Sequence, residues 1–237
     1  MERPEDARAC FDRFHSEYDA VLGRGLAATG EDRLYFARGR VAFLGRCLRE
    51  AGLKPPRSLL DFGCGTGAAT PFFFDELGVE QVVGVDVSER SLAMASAQHG
   101  SDRARFVSLS DFSPGGEFQL AFCNGVFHHV PPLERAGLMR LLRDSLSPEG
   151  LFALWENNPW NPGTRYVMSR VAFDRDAVTL SSREAARMVA AAGLAVLRTD
   201  YFFVFPRILK ALRFLEPALS KVPLGGQYQV VSRKPKV

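Results

Sequence analysis

Short apolar runs alternate with longer amphipathic stretches from residue 58 to the end of the chain. Runs of five or six apolar residues are typical of buried strands, and the stretches between them have the spacing of helices. We predict strands at Ser58 to Phe62, Gln81 to Asp86, Arg105 to Leu109, Gln119 to Cys123, Leu151 to Trp155, Leu194 to Thr199 and Gln227 to Ser232. This alternation predicts an α/β fold with a largely parallel sheet and helices on both faces.

Polar residues mark the ends of several of these helices. Ser88 stands where a helix N-cap is expected, and Ser181 with Glu184 has the spacing of a capping box. Gly193 is placed to end the helix that Ser181 begins. The segment LSPEG at 146–150 is predicted as a turn before the fifth strand.

The length and composition favour one domain with additions. With 237 residues and 46% hydrophobic content, the chain is long enough for one sizeable core. We expect an N-terminal helical lid over residues 1–54 and a core over 55–237. Within the core we expect a cap insertion at 156–180 and a second insertion at 201–226.

Charge and cysteine usage exclude several classes of protein. The formal net charge is +3 and no run of five basic residues occurs, which argues against a nucleic-acid partner. The four cysteines are scattered, so neither a metal site nor a disulfide framework is predicted. The charged start MERPEDARACFDR lacks the apolar stretch of a signal peptide, and we expect a cytoplasmic protein.

The segment LLDFGCGTG at 59–67 places glycines at 63, 65 and 67, directly after the first strand. Such a loop lets a ligand approach the backbone closely, and the following helix N-terminus favours a negatively charged group. Asp86 ends the second strand, where a carboxylate can accept hydrogen bonds from both hydroxyls of a ribose. At the end of the third strand, Asp111 can accept from an adenine amino group and Phe112 can pack on the ring. Together these residues predict a nucleoside beyond the strand tips.

The motifs LLDFGCGTG, VVGVDVS, SDF, FQLAFCNGVFHHVPP and LSPEGLFAL occur in this order between residues 59 and 154. In that order they resemble the successive motifs of class I S-adenosylmethionine-dependent methyltransferases, of the kind that act on small molecules. The resemblance implies a Rossmann-like fold with sheet order 3-2-1-4-5-7-6, in which strand seven is antiparallel. It also implies S-adenosylmethionine as the cofactor.

The resemblance assigns roles to residues along these motifs. Gly63 and Gly65 would pass under the methionine part, Asp86 would hold the ribose, and Asn124 would line the pocket near the methionine. Tyr18 would cover the methyl donor, and Arg40 would pair with the methionine carboxylate. The full cofactor-binding set is Tyr18, Arg40, Asp61, Gly63, Cys64, Gly65, Asp86, Val87, Asp111, Phe112, Asn124 and Gly125.

Three residues are candidates for acid–base chemistry. His128 and His129 follow the fourth strand, where methyl acceptors lie in this fold, and a neutral imidazole can take a proton from a hydroxyl or an amine. Glu156, after the fifth strand, is a second candidate base. The alternative is that the histidines only order the turn, because aligned methyl transfer needs no dedicated base when the acceptor is already nucleophilic.

The segment WENNPWNPGTRYVMSRVAFDRDAV at 155–178 is the predicted acceptor pocket. Trp160 and Tyr166 offer flat surfaces, and Arg165 and Arg170 can bind a carboxylate or phosphate, which suits an anionic acceptor. The alternative is an ordered cap in which asparagine and proline only make turns.

A second unusual segment precedes the last strand. Ile208, Leu209, Leu212 and Leu215 have helical spacing, with basic residues on another face. We expect this stripe to pack on its own domain. The alternative is contact with a membrane surface or a lipid-linked substrate.

The sequence therefore predicts an enzyme that transfers a methyl group from S-adenosylmethionine to an oxygen or nitrogen, less favourably a carbon, of a small molecule. Two alternatives stay open. One is a nicotinamide-dependent oxidoreductase, which the glycine loop and Asp86 would also allow. The other is a non-catalytic protein that binds the cofactor as a sensor or as the partner of an active subunit.

Overall fold

A computed structural model describes residues 29–171 and 177–236. The described helices are α1 Arg33–Glu50, α2 Thr70–Leu77, α3 Glu89–His99, α4 Arg135–Ser145, α5 Pro162–Arg170, α6 Ser182–Ala191 and α7 Glu216–Leu219, with a 3-10 helix at Arg207–Leu215. The strands are β1 Ser58–Phe62, β2 Gln81–Asp86, β3 Ala104–Ser108, β4 Phe118–Asn124, β5 Leu146–Asn157, β6 Ala195–Phe202 and β7 Gln227–Arg233.

The seven strands form one sheet in the order β3-β2-β1-β4-β5-β7-β6. Strands β1 to β5 run parallel to one another, and β7 runs antiparallel to both β5 and β6. This confirms the predicted fold and strand order. Because parallel strands end at one edge, the chain leaves β1, β2, β3, β4 and β5 on the same side of the sheet, where ligands bind in open α/β folds.

The central strands are buried on both faces, which explains their continuous apolar sequences. In β1, Leu59 packs in the cluster that contains Leu44 of α1 and Phe73 of α2. Its neighbour Leu60 points to the other face and packs in the cluster that contains Met139 of α4. The period-2 alternation of a strand thus divides one apolar run between two cores.

The predicted helix signals are present in the structure. The Ser88 hydroxyl accepts from the backbone N–H of Ser91, and Ser181 forms a reciprocal capping box with Glu184. The first residues after α6 include Gly193, whose φ of 86° lies in the left-handed region. Local sequence therefore determines where these helices begin and end.

The predicted turn at 146–150 is wrong, because these residues form the start of β5. Leu146 pairs with Phe118, and the register then shifts before Leu120 pairs with Leu151. Glu149 adopts a φ of 62° within this irregular start. Residues 146–150 therefore form a bulged start of β5 instead of a turn before the strand.

The segment before β7 also differs from the prediction. It forms a 3-10 helix rather than an α-helix, so residues three apart share a face. Leu209, Leu212 and Leu215 are accordingly about 40% exposed, whereas Ile208 is 89% exposed. The described residues do not bury Ile208, and the expected packing fails there. No helix within residues 29–171 and 177–236 has the length and apolar character needed to cross a membrane.

Candidate active site

The loop after β1 has a backbone that only glycine adopts readily. Gly63, Gly65 and Gly67 have φ values of 74°, 53° and 74°. A Cβ at Gly63 would clash with Cγ2 of Val126, so even alanine would not fit there. A Cβ at Gly65 would meet no atom within 4 Å, so the backbone borders open space at this point. The loop is therefore held tightly at one end and accessible in the middle.

Asp86 lies at the tip of β2 and holds the glycine loop in place. Its Oδ2 accepts from the N–H of Gly65 at 2.8 Å, and its Oδ1 accepts from the N–H of Ser88 at 3.0 Å. Both carboxylate oxygens therefore accept from backbone N–H groups at this strand tip. Val87 follows Asp86 and is half-buried.

Burial raises the pKa of two ionisable groups at the glycine loop. Burial raises the pKa of the Cys64 thiol well above its ordinary value, and the charges of Asp61 and Asp86 raise it further. Cys64 is therefore a poor thiolate nucleophile. Burial also raises the pKa of Asp61 to about 7, with a further increase from Asp86 and an opposing effect of Arg40.

We expect the free energy of unfolding of the native protein to fall, relative to that of an Asp61→Asn variant, as the pH rises from about 4 to about 7. The folded protein holds the Asp61 proton where the unfolded chain releases it, so stability present below the unfolded pKa is lost as pH passes through the folded pKa. The difference in free energy of unfolding between the two proteins should change by about 1 kcal/mol for each pH unit in this window. Urea unfolding at pH 5, 6, 7 and 8 measures it, and parallel curves for the two proteins would contradict the burial of an ionisable carboxyl.

The tip of β3 carries the residues predicted to hold adenine. Asp111 is exposed in the turn after β3, and its N–H donates to the carbonyl of Ser108. Phe112 is half-buried and packs against the core below, with its ring centroid 6.4 Å from that of Phe118. Their side chains remain open to a ligand at the sheet edge.

A cavity of about 380 Å³ lies at the ends of β4 and β5, and the predicted cofactor residues at the tips of β1, β2 and β3 do not line it. It is bounded by the ends of β4 and β5, by α1 and α5, and by the segment that joins β6 to the 3-10 helix. The lining comprises Thr29, Glu31, Arg33, Tyr35, Phe36, Arg40, Asn124, Gly125, His128, His129, Asn157, Asn161, Gly163, Thr164, Tyr166, Val167, Met168, Phe203, Val204, Phe205, Pro206, Arg213, Gly226 and Gln227. Arg33 connects the cavity to the glycine loop, because its Nη1 donates to Oγ1 of Thr66 at 3.0 Å.

His128 and Glu156 form a buried pair at the cavity. The imidazole Nδ1 lies 2.6 Å from Oε2 of Glu156, and both side chains are less than 5% exposed. Oε1 of Glu156 accepts from the N–H of Phe127 at 2.8 Å. Because a carboxylate only accepts hydrogen bonds, Nδ1 carries a proton, and in the neutral imidazole the lone pair is then on Nε2. The His129 ring lies 4.0 Å from that of His128, centroid to centroid.

Amide side chains line the cavity between α1 and β5. Nη1 of Arg40 donates to Oε1 of Gln227 at 3.0 Å, and Nε2 of Gln227 donates to Oδ1 of Asn157 at 3.1 Å. Nearby, Oδ1 of Asn124 is buried without a hydrogen-bond partner among the described residues. Gly125 follows Asn124 with a φ of 68°, and its N–H donates to the carbonyl of Trp155.

A buried carboxylate and a partly buried ion pair hold the opposite wall of the cavity. Glu216 is 3% exposed and accepts from the N–H groups of Val204 and Phe205, and burial raises its pKa. Arg213 pairs with Glu31 at 2.9 Å and lies over the ring of Tyr35, 4.7 Å from its centroid. These contacts fix the segment after β6 against the start of α1.

The residues predicted to bind the acceptor are divided by the structure. Tyr166 lines the cavity, and Arg170 lies over its outer side, 5.1 Å from the ring centroid. Arg165 and Arg170 are exposed on α5, and Trp160 is 73% exposed; none of the three lines the cavity. Tyr18 lies outside the described residues.

Sequence reasoning missed several cavity residues. Arg33, Gln227 and Arg213 lie far apart along the chain and have no motif to connect them. Glu156 was itself a candidate from the sequence. A carboxylate at the end of the apolar run LFALW must find a partner when it is buried. The partner, His128, lies 28 residues away and could be identified only from the fold.

A family model described as a methyltransferase domain matches residues 31–199. The chain is 30% identical over 144 residues to the ribosomal protein L11 methyltransferase of Paraburkholderia phytofirmans, covering 59% of this chain and 45% of that protein. It is 24% identical over 187 residues to a trans-aconitate 2-methyltransferase of Acidovorax sp. (strain JS42), covering 71% of this chain and 72% of that protein. The chain spans 28 to 45% of the length of the first three curated relatives that it matches.

Solved structures share the fold. One is the 1,6-didemethyltoxoflavin-N1-methyltransferase of Burkholderia thailandensis, crystallised with bound 1,6-didemethyltoxoflavin and S-adenosylhomocysteine. It superposes with a TM-score of 0.63 at 19% identity, covering 100% of this chain and 92% of that one. At this identity the likeness is evidence of a common architecture.

Proposed function

The chain belongs to the methyltransferase domain family, and we propose that it transfers the methyl group of S-adenosylmethionine to an oxygen or nitrogen of a small, anionic acceptor. The observation that carries the proposal is the buried His128–Glu156 pair, whose His128 lines a cavity that Arg33 links to the glycine loop. The cofactor set, the catalytic residue and the acceptor class are parts of this proposal.

The residues at the strand tips fit the parts of the cofactor. The open backbone at Gly65 suits a ligand that must approach closely, and Asp86 lies at the tip of β2, where a carboxylate can accept from ribose hydroxyls. The unpaired buried oxygen of Asn124 requires a donor, and an ammonium group would supply one. Arg40 lines the same cavity, and its guanidinium carries the charge and the donors that suit a carboxylate.

When bound, S-adenosylmethionine supplies an electrophilic methyl group on a positively charged sulfur. The chain must then align the acceptor, exclude water and remove a proton from the attacking atom. The cavity wall made by Phe36 and Phe203–Pro206 provides apolar surface for the first two tasks. Neutral Cys64 takes no part as a nucleophile in this scheme.

We expect Asp86→Ala to weaken S-adenosylmethionine binding by about 1.5 to 3 kcal/mol, the range for hydrogen bonds to a charged group. The substitution removes the proposed ribose acceptor and also releases the N–H of Gly65. Equilibrium binding measures the effect, with the exposed Asp102→Ala as a control that should bind normally. Unchanged affinity in Asp86→Ala would remove Asp86 from the cofactor site.

Several features favour a small anionic acceptor. A volume of about 380 Å³ lies in the range of small-molecule sites and is too small for a folded protein surface. The cavity is lined by three arginines, Arg33, Arg40 and Arg213. Among the described lining residues, Glu31 is the one with a carboxylate. The related trans-aconitate 2-methyltransferase is named for a carboxylate acceptor, which agrees with this class.

His128 is the proposed general base. With its Nδ1 proton held by Glu156, Nε2 can accept a proton from a hydroxyl or amine of the acceptor. The positive charge that forms on the ring is stabilised by the adjacent carboxylate. Glu156 uses both oxygens on His128 and Phe127, so we assign it a positioning role rather than that of the base.

A screen for S-adenosylhomocysteine formation tests the proposed function. The purified protein is incubated with S-adenosylmethionine and a panel of small hydroxy acids, phenols and amines, each paired with a neutral analogue that lacks the carboxylate. We expect turnover with anionic members and slower turnover with their neutral analogues. Binding of the cofactor without product from any acceptor would favour a non-catalytic role.

A further inference from the structure

Three side chains that line the cavity form a chain of hydrogen bonds, which we call the relay. Arg40 of α1 donates to Gln227 of β7, and Gln227 donates to Asn157 of β5. The donor–acceptor distances are 3.0 and 3.1 Å, within the range of good hydrogen bonds. All three residues line the cavity that we assign to the acceptor.

The chemistry of the first residue determines the orientation of the other two. A guanidinium has donors and no acceptor, so Gln227 must present its oxygen to Arg40. The amide nitrogen of Gln227 then faces Asn157, which must present its own oxygen in return. The reversed orientation of either amide would place two donors, or two acceptors, against each other.

The relay leaves the amide nitrogen of Asn157 as the group available to a ligand. No described residue accepts a hydrogen bond from this nitrogen, and Asn157 is only half-buried, at the end of β5. His128 lines the same cavity and is held by Glu156, the residue directly before Asn157 in the strand. The cavity therefore has a fixed donor, Asn157, and a proton acceptor, His128.

We propose that Asn157 is a specificity-determining residue that donates a hydrogen bond to a carboxylate or carbonyl oxygen of the methyl acceptor, with its direction set by Arg40 and Gln227. This inference rests on the proposed function and specifies its substrate class. The preferred acceptor carries an oxygen acceptor on the same small molecule as the hydroxyl or amine that His128 deprotonates. A ligand that offers a donor to Asn157 leaves two donors facing each other and is rejected.

A ligand-observed NMR titration tests this assignment without turnover. Benzoate and benzamidinium have the same ring, and one presents acceptors where the other presents donors. Both are titrated into protein saturated with S-adenosylhomocysteine, so that neither probe occupies the cofactor site. We expect benzoate to bind at least about tenfold more tightly than benzamidinium.

Two uncharged substitutions separate the donor from its orientation. Asn157→Leu removes the donor at similar volume and should lower benzoate affinity by about tenfold or more. Gln227→Met keeps Asn157 but removes the group that orients it, and should lower benzoate affinity by about threefold to tenfold. Gln119 lies at the opposite end of the sheet, where its side chain accepts from the N–H of Arg57. The control Gln119→Met removes this amide and should leave benzoate affinity unchanged.

The outcomes distinguish this inference from the function on which it rests. Failure of S-adenosylhomocysteine to bind would overturn both. Normal S-adenosylhomocysteine binding with no preference for benzoate, or with equal benzoate affinity in the native protein and Asn157→Leu, would overturn the role of Asn157 alone. A loss in Asn157→Leu without a loss in Gln227→Met would overturn the relay.

Discussion

Replacing His128 with alanine is expected to lower turnover by about a hundredfold or more while sparing cofactor affinity. The imidazole is the proposed proton acceptor, and Glu156 holds it in the tautomer that keeps the Nε2 lone pair. A single-turnover assay with an acceptor found in the screen measures the rate of transfer. The native rate should also decline toward acidic pH as the imidazole takes a proton, and the variant should lose this dependence.

Two further substitutions distinguish catalysis from folding. Glu156→Gln keeps the shape of the pair but can no longer stabilise the imidazolium, and we expect it to lower the rate by about tenfold or more and to alter the pH profile. His129→Ala leaves the His128–Glu156 pair in place and should lower the rate by less than about tenfold. A near-normal rate and pH profile in His128→Ala would assign His128 to ordering the turn after β4.

Replacing Asp200 with alanine is expected to destabilise the fold by about 3 to 5 kcal/mol. Asp200 is fully buried and accepts from Nε and Nη2 of Arg198 at 2.6 and 3.0 Å, and it pairs with Lys221 at 2.7 Å. Its hydrogen bonds raise the pKa of Arg198. Removing the carboxylate leaves a largely buried guanidinium with two of its four hydrogen bonds, which costs more than an exposed ion pair contributes.

Urea unfolding at neutral pH measures the Asp200 effect, and an exposed pair provides the control. Arg143 and Asp144 lie 2.7 Å apart, with side chains 35% and 48% exposed. Asp144→Ala should therefore cost no more than about 1 kcal/mol. A similarly small cost for Asp200→Ala would contradict the assigned buried network. The network matters for function because Arg198 also pairs with Glu50, at the end of the helix that carries Arg33 and Arg40.

Local sequence was sufficient for the elements whose signals are local. The bounds of β1 and β2 agree with the prediction, because each is a short apolar run buried on both faces and bounded by polar or glycine residues. The sequence was less informative where a segment is compatible with two local structures. Gly150 and Glu149 suit a turn, but pairing of Leu146 with Phe118 draws the segment into β5.

The candidate site depended on contacts that no local pattern encodes. The role proposed for Asp86 followed from its position at the end of β2, that of Asn124 followed from a motif resemblance, and both stay predictions. The pairing of His128 with Glu156 arises because β4 and β5 are adjacent in the sheet. The outward position of Arg165 reflects the face that α5 turns to the core, where Met168 is buried.

Calorimetric titration of the purified protein with S-adenosylmethionine, S-adenosylhomocysteine and NAD tests the central claim most directly. The glycine spacing, the position of Asp86 and the unpaired oxygen of Asn124 predict saturable binding of the two sulfur compounds and no binding of NAD. Binding of NAD without binding of either sulfur compound would contradict the account and would favour an oxidoreductase.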